Sequence, residues 1–557
     1  MNNCIVTSLC ILFGMLYAVQ AGYSQGPLSP TAPPAPTMKT LQQVEPRIAI
    51  TNTTAVTIST SGSYYLTANI TVTNGTAISI SVNGVTLDLN GFTISSTSAS
   101  ANGTGILLAG GNTDITILNG HIKGNVIYSG GNYSGSGFAN GITYNGVGNV
   151  RVIGVTVSGC LDSGINLGTG DSTVVDSCTV NTVGTYGIEA GNVSHSAAYQ
   201  CGNNAINAIN TASDCYAYCT GGGDGLDANV ANNCYGVSVN GTGLGAAQTA
   251  TGCYGQSTGG LFGLITTTAN NCYGYSTGNA GGVNAYVANN CYGQSTSSGG
   301  MDVYYAANNC YGVSSGNGTG LSTSTATGCY GLSSGGYGIF ATTMLNCIGL
   351  SGSSGTGLYA VQTATGCFGS SSGSGDGLDA NNAENCSGQS SSGTGLNAVQ
   401  TATGCSGQSS SGTGLNAVQT ATGCSGQSSS GTGLFANNAN NCNGFSTNLT
   451  SVADGLHVTY AANNCCGNSY GTGTGLYAIS AENCSGLSFG GTGLAATTVN
   501  SCIGQCSGSA TGLYAFRLAI GCYGTSGSGT GLIAVVANFC LGSGSPDYSV
   551  GAKYNMP

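Results

Sequence analysis

Charge is what this chain has least of. Its 557 residues include six Lys and Arg and 17 Asp and Glu, and charged residues make up 4% of the whole. Six cations over that length cannot form a basic patch, so no nucleic-acid partner is expected. Tryptophan is absent, and only three histidines occur: His121, His195 and His457. Without a Cys-x-x-Cys pair or paired histidines, a closed metal centre is not expected, and no cofactor is called for. Beyond residue 21 no apolar run is long enough to cross a bilayer, so no transmembrane segment is expected.

Glycine and cysteine are abundant instead, at 99 and 26 residues. They come in a repeat. The line SGQSSSGTGLNAVQTATGC fills 387–405 and again 406–424 without a change. Around it a cysteine recurs at 215, 234, 253, 272, 291, 310, 329, 347, 367, 386, 405, 424, 442, 465, 484, 502, 522 and 540, and ten of the seventeen intervals are 19 residues. A fixed period of that size marks a solenoid of short stacked units. Within the unit, Cys405–Ser409 and Leu415–Ala417 alternate with period two, as strands do, and Gly or Asn stands where the chain must turn with positive φ. No apolar period of 3.6 residues runs through it. The reading is an all-β chain, a single-stranded right-handed parallel β-helix of about two dozen coils of roughly 19 residues. The eighteen cysteine-bearing coils, stacked at ~4.8 Å, would extend about 80 Å.

Residues 4–19 are apolar and Val19-Gln20-Ala21 suits a signal peptidase, so Met1–Ala21 reads as a signal peptide and the protein as secreted or cell-surface. Residues 22–46 form a Pro-rich linker. Irregular entry coils occupy 47–214, regular cysteine coils 215–540, and a cap or tail 541–557. The strand-like runs GSYYLTANITV, VTLDLNGFTI, DITILNGHIKG and NVRVIGVTV lie in the entry coils. They resemble the right-handed parallel β-helix proteins of the pectate-lyase-like superfamily. That resemblance covers roughly 47–540 and implies fold but no single activity, because the superfamily includes lyases, hydrolases, adhesins and tailspikes.

Setting coils in register places Val155, Cys178, Ser196 and Cys215 at one inward position. The column cysteines are then small buried hydrophobes rather than a disulfide framework, since equivalent residues ~4.8 Å apart with parallel Cβ atoms fit disulfide geometry poorly. Cys160, Cys201, Cys219, Cys466 and Cys506 lie off the column and are better bridge candidates.

One step after the column, an outward position holds Tyr216, Tyr235, Tyr254, Tyr273, Tyr292, Tyr311 and Tyr330, then Ile348 and Phe368, then Ser387, Ser406 and Ser425. This aromatic stripe of roughly 30 Å suits a polysaccharide or another cell-surface protein, or serves only to stiffen the sheet. A second outward position, the x of Gly-Ile/Leu-x-Ala, holds Glu189 and Asp227 two coils apart, about 10 Å between backbones, with His195 nearby in sequence. Two carboxylates at such a separation are the equipment of an inverting glycosidase. The acidic calcium cluster of the lyases and the paired Asp of the pectin hydrolases are not found.

Of the 26 Asp, Glu, Lys, Arg and His residues, 16 fall in 39–230 and eight in 231–540. The leading reading is a structural or adhesive secreted protein, with self-association possible. The alternative is a polysaccharide lyase or glycoside hydrolase working around 155–227. A self-assembling extracellular fibre is a weaker third reading.

Overall fold

The coil from Leu396 to Gly414 shows why the repeat folds as it does. Leu396, Ala398, Ala402, Cys405 and Ser409 are buried, while Val399 and Gln400 are both exposed. Two outward side chains in succession break the period of two and mark a corner. That corner divides the strand Leu396–Thr403 into a leucine face and a threonine face. Gly404, at φ +62°, makes the second corner. The short strand Ser406–Ser409 forms the third face, called here the tyrosine face after its residues in earlier coils. The loop at 410–414 closes the lap.

Coils stack in parallel and in register: Leu396 pairs with Leu415, and Ser406 with Ser425. The computed structural model describes residues 44–146 and 148–556. Among these, the residues from Ile50 onward form one compact unit, a right-handed, all-β parallel solenoid of about 27 coils of roughly 19 residues, slightly more than the expected two dozen. The expected signal peptide at 1–21 and nearly all of the linker at 22–46 lie outside the described residues. No helix among the described residues is long and apolar enough to cross a membrane.

Three columns explain the repeat residue by residue. The residue before each column cysteine is left-handed in every coil from Asp214 (φ +53°) to Phe539 (φ +53°). Asn and Gly dominate there because the left-handed conformation is costly for other L-residues. The serine four positions after the cysteine points inward and ties the loop shut: Ser409 Oγ donates to Gly393 O at 2.7 Å and accepts from Gly412 N at 2.8 Å. Buried polar atoms of that loop are thereby satisfied, whereas Ser351 Oγ and Ser446 Oγ, in the same column, find no partner among the described residues. The narrow end of each coil has no room for side chains. A Cβ at Gly407 would lie 2.2 Å from the Gly414 carbonyl oxygen, so glycine is sterically required there.

Val155, Cys178, Ser196 and Cys215 do share one buried position: Tyr216 N donates to Ser196 O, Cys178 N to Ser196 Oγ, and Val155 N to Cys178 Sγ. All 24 described cysteines are free. Cys160, Cys201, Cys219 and Cys506 prove to occupy the inward serine column, where Cys219 pairs in register with Ser238 and Cys506 with Ser488. Cys466 takes an outward place beside Asn443 and Ser485.

One element escaped the periodic reading. An antiparallel hairpin, Asn125–Ser129 with Asn132–Ser136, leaves the solenoid and lies along its side. Tyr133 reaches across the small Gly184 and Gly202 to Thr220, its hydroxyl 2.6 Å from Thr220 Oγ1. At the other end of the chain, Leu541–Ser543 and Tyr548–Tyr554 pair in parallel with the preceding coil and so extend the stack.

Candidate functional site

On the tyrosine face the side chain after each column cysteine must project outward, because the cysteine projects inward. In-register pairing then sets equivalent rings one above another: Tyr216 with Tyr235, Tyr235 with Tyr254, and so on to Tyr330. Neighbouring ring centroids along Tyr216, Tyr235, Tyr254, Tyr273, Tyr292, Tyr311 and Tyr330 are 4.3–5.0 Å apart, and planes deviate by 3–7°. Tyr199, from a strand position two residues further on, adds an eighth ring at 5.1 Å.

The stacking decides what the column presents. Each ring covers its neighbour's face, so edges and hydroxyls, not faces, form the outer surface. Gln256 and Gln294 accept from the hydroxyls of Tyr254 (3.0 Å) and Tyr273 (3.3 Å). Partial burial by neighbouring rings pushes the phenols of Tyr216, Tyr254, Tyr273, Tyr292 and Tyr330 above their ordinary range. Beyond Phe368 the same face becomes a trough of about 430 Å³ lined by Gln389, Gln408, Gln427 and serines, without a charged group among its lining residues.

Aromatic residues do not end at Tyr330. They change face. On the leucine face Phe340 stacks on Tyr359 (5.5 Å, 3°), and His457 stands between Phe435 and Tyr477 at 5.3 and 4.9 Å. The signal is in the sequence, in the x of Gly-Ile/Leu-x-Ala, the same column that holds Glu189 and Asp227 in earlier coils.

Of the carboxylate candidates, Glu189 and Asp227 fall in one leucine-face column with Asn207 between them, as the register required. Asn207 Nδ2 donates to Glu189 Oε1 at 3.1 Å. His195 is not brought to them. It occupies the left-handed corner beyond the threonine face (φ +46°), where its Nδ1 lies 2.8 Å from Asp176 Oδ1. That carboxylate raises the imidazole above its ordinary range, and the hydrogen bonds from Ser194 and His195 hold Asp176 below its own.

Asp227 belongs instead to a groove of about 410 Å³ that also takes in Asp224, Ile265, Asn284, Tyr286 and Tyr304. Burial raises the carboxyls of Asp224 and Asp227, and for Asp227 the negative charge of Asp224 adds to it. The Asp-Gly-Leu-Asp sequence recurs at 376–379, which gives an internal comparison. In both copies the first Asp caps the next coil: Asp224 Oδ1 accepts from Thr242 N and Asp376 Oδ1 from Thr394 N, each at 2.7 Å. The second Asp differs. Asp379 is held by Asn397 Nδ2 at 3.0 Å, whereas the residue above Asp227 is Gly245, which leaves it open to the groove. Among the described residues no three His, Cys, Asp or Glu side chains converge on a point that could hold a metal ion.

Comparison with protein-family models, with curated proteins and with solved structures finds no match to this chain.

Proposed function

We propose that the chain is a secreted or cell-surface β-solenoid, related to the pectate-lyase-like parallel β-helices, with a structural role and an adhesive one. The observation that carries this reading is the stack of eight tyrosines on one face of otherwise nearly uncharged coils. Its rings stiffen the stack through their shared faces. Its hydroxyls and edges, continued by the Ser/Gln trough, make a long uncharged polar rail suited to a hydroxyl-rich polymer or a cell-surface protein. Co-sedimentation with a panel of insoluble polysaccharides tests it. Native protein should pellet with at least one, and the double variant Tyr254→Ser/Tyr273→Ser should lose most of that binding. A native protein that pellets with none removes the adhesive role and leaves the structural one.

A second reading, polysaccharide cleavage, is favoured by one observation: the open Asp227, its carboxyl raised above the ordinary range by burial, beside Asp224 in an aromatic-edged groove. Release of reducing or unsaturated ends that disappears in Asp227→Asn would support it.

A further inference from the structure

The column cysteines are the largest set of like reactive groups in the molecule, and neither reading above uses them. From Cys215 to Cys540 eighteen thiols occupy one inward position, none more than 3% exposed. Register is held on both sides of each. Tyr254 N donates to Cys234 O at 2.9 Å, and Tyr273 N to Cys253 O at 2.9 Å. The sulfur of one coil lies over the backbone of the coil before it: Cys272 N donates to Cys291 Sγ at 3.4 Å, Cys367 N to Cys386 Sγ at 3.4 Å, and Cys465 N to Cys484 Sγ at 3.4 Å.

Equivalent atoms of neighbouring coils are separated by the coil spacing, ~4.8 Å. Two metal–thiolate bonds of ~2.3 Å laid end to end measure about 4.6 Å. The interval between successive sulfurs therefore matches a linear S–metal–S bridge. Zinc wants four ligands at tetrahedral corners, and the column supplies only two sulfurs per interval. A soft monovalent d¹⁰ ion accepts two, and thiolate sulfur is its preferred ligand.

We propose that the cysteine column is a binding site for soft monovalent cations of the copper(I) or silver(I) class, one ion between the sulfurs of adjacent coils. Each ion forms a bond to one sulfur as the Sγ–H bond breaks, the proton leaves to solvent, and the neighbouring sulfur donates a lone pair. The metal keeps its oxidation state. Because one cation replaces one proton, the buried column gains no net charge, which is the condition for placing ions in an apolar core. Entry requires no passage through the core. The column stands directly behind the left-handed corner, where the preceding residue is Asn or Gly in most coils.

The sequence hides this site because its ligands are a full lap apart. Spacing rules for metal motifs look for ligands two to four residues apart.

The test is a silver(I) titration of the whole protein in chloride-free buffer, following proton release, native mass and far-ultraviolet circular dichroism together. The expected result is uptake of several ions per chain, up to nine for the 18 column cysteines because each bent sulfur can enter one linear bridge, with one proton released per ion and the β signal retained. Replacing column cysteines by serine gives the second arm. Serine already stands in the column at Ser196, 3% exposed, so Cys291→Ser and Cys386→Ser leave the fold intact. Each should lower the stoichiometry by one, since each removes one partner of a bridge. Uptake that stops near one ion, as the half-buried Cys466 alone would give, overturns the proposal. So does uptake only with loss of the β signal, or serine variants that bind as many ions as the native chain.

Discussion

Gly255 and Gly263 meet back to back across the narrow end of one coil, so that a Cβ on Gly255 would lie 2.1 Å from the Gly263 carbonyl oxygen. The obstacle is backbone, which cannot swing aside. Gly255→Ala is expected to destabilise its coil by about 3 kcal/mol, the upper range for overpacking. Limited proteolysis should then cut near residues 250–265. Gly222→Ala, where a Cβ meets nothing within 4 Å, should leave the digest unchanged.

The left-handed corner makes a second prediction with opposite signs at two sites. Asn309 (φ +50°) precedes Cys310, and glycine serves the same place at Gly328. Asn309→Gly should be nearly neutral, and Asn309→Val should cost about 1–2 kcal/mol. Phe539 holds the same conformation with a bulky, 64% exposed side chain. Phe539→Gly should therefore stabilise the last coils by about 1 kcal/mol, read as slower hydrogen exchange at 532–554.

The tyrosine stack makes stability fall at alkaline pH. Phenols buried against one another, Tyr254 foremost, ionise above the ordinary value of 10.0 when folded. A raised folded value means that the contribution is complete below pH 10 and is lost as pH rises through the folded value. Absorbance at the phenolate band should lag behind that of unfolded protein above pH 10. In Tyr254→Ser the lag should shrink for Tyr273 as well.

His195 and Asp176 act together over a bounded window. The imidazole is raised from 6.5, so its contribution is complete below that value and lost above it. The carboxyl is lowered from 3.8, so its contribution is complete above that value and lost below it. Attraction is greatest between about pH 4 and 6.5, and both groups are too exposed for a large effect. Proton NMR titration should place His195 above 6.5, and Asp176→Asn should bring it back.

Much of this architecture could be read in advance because a solenoid writes its fold as a period. The shared position of Val155, Cys178, Ser196 and Cys215, and the two-coil separation of Glu189 from Asp227, needed only counting. What escaped lies where counting fails. The hairpin at 125–136 is not part of a lap. The groove at Asp227 depends on Gly245, whose significance is the side chain it lacks and which contrasts with Asn397 over Asp379. His195 drew attention for its closeness in sequence to Glu189, but a corner separates them. Within the long strand, register shifts such as that between Ala380 and Asn382 let neighbouring corners differ by a residue, so an exact count loses phase there.

The buried thiols also give each lap its own reporter. Eighteen coils carry one column sulfur apiece, shielded while the lap is closed and reactive toward an alkylating reagent once it opens. The mass added to the chain over time would then count open laps. Peptide mapping would show whether the rod frays from one end, from both, or gives way in the middle.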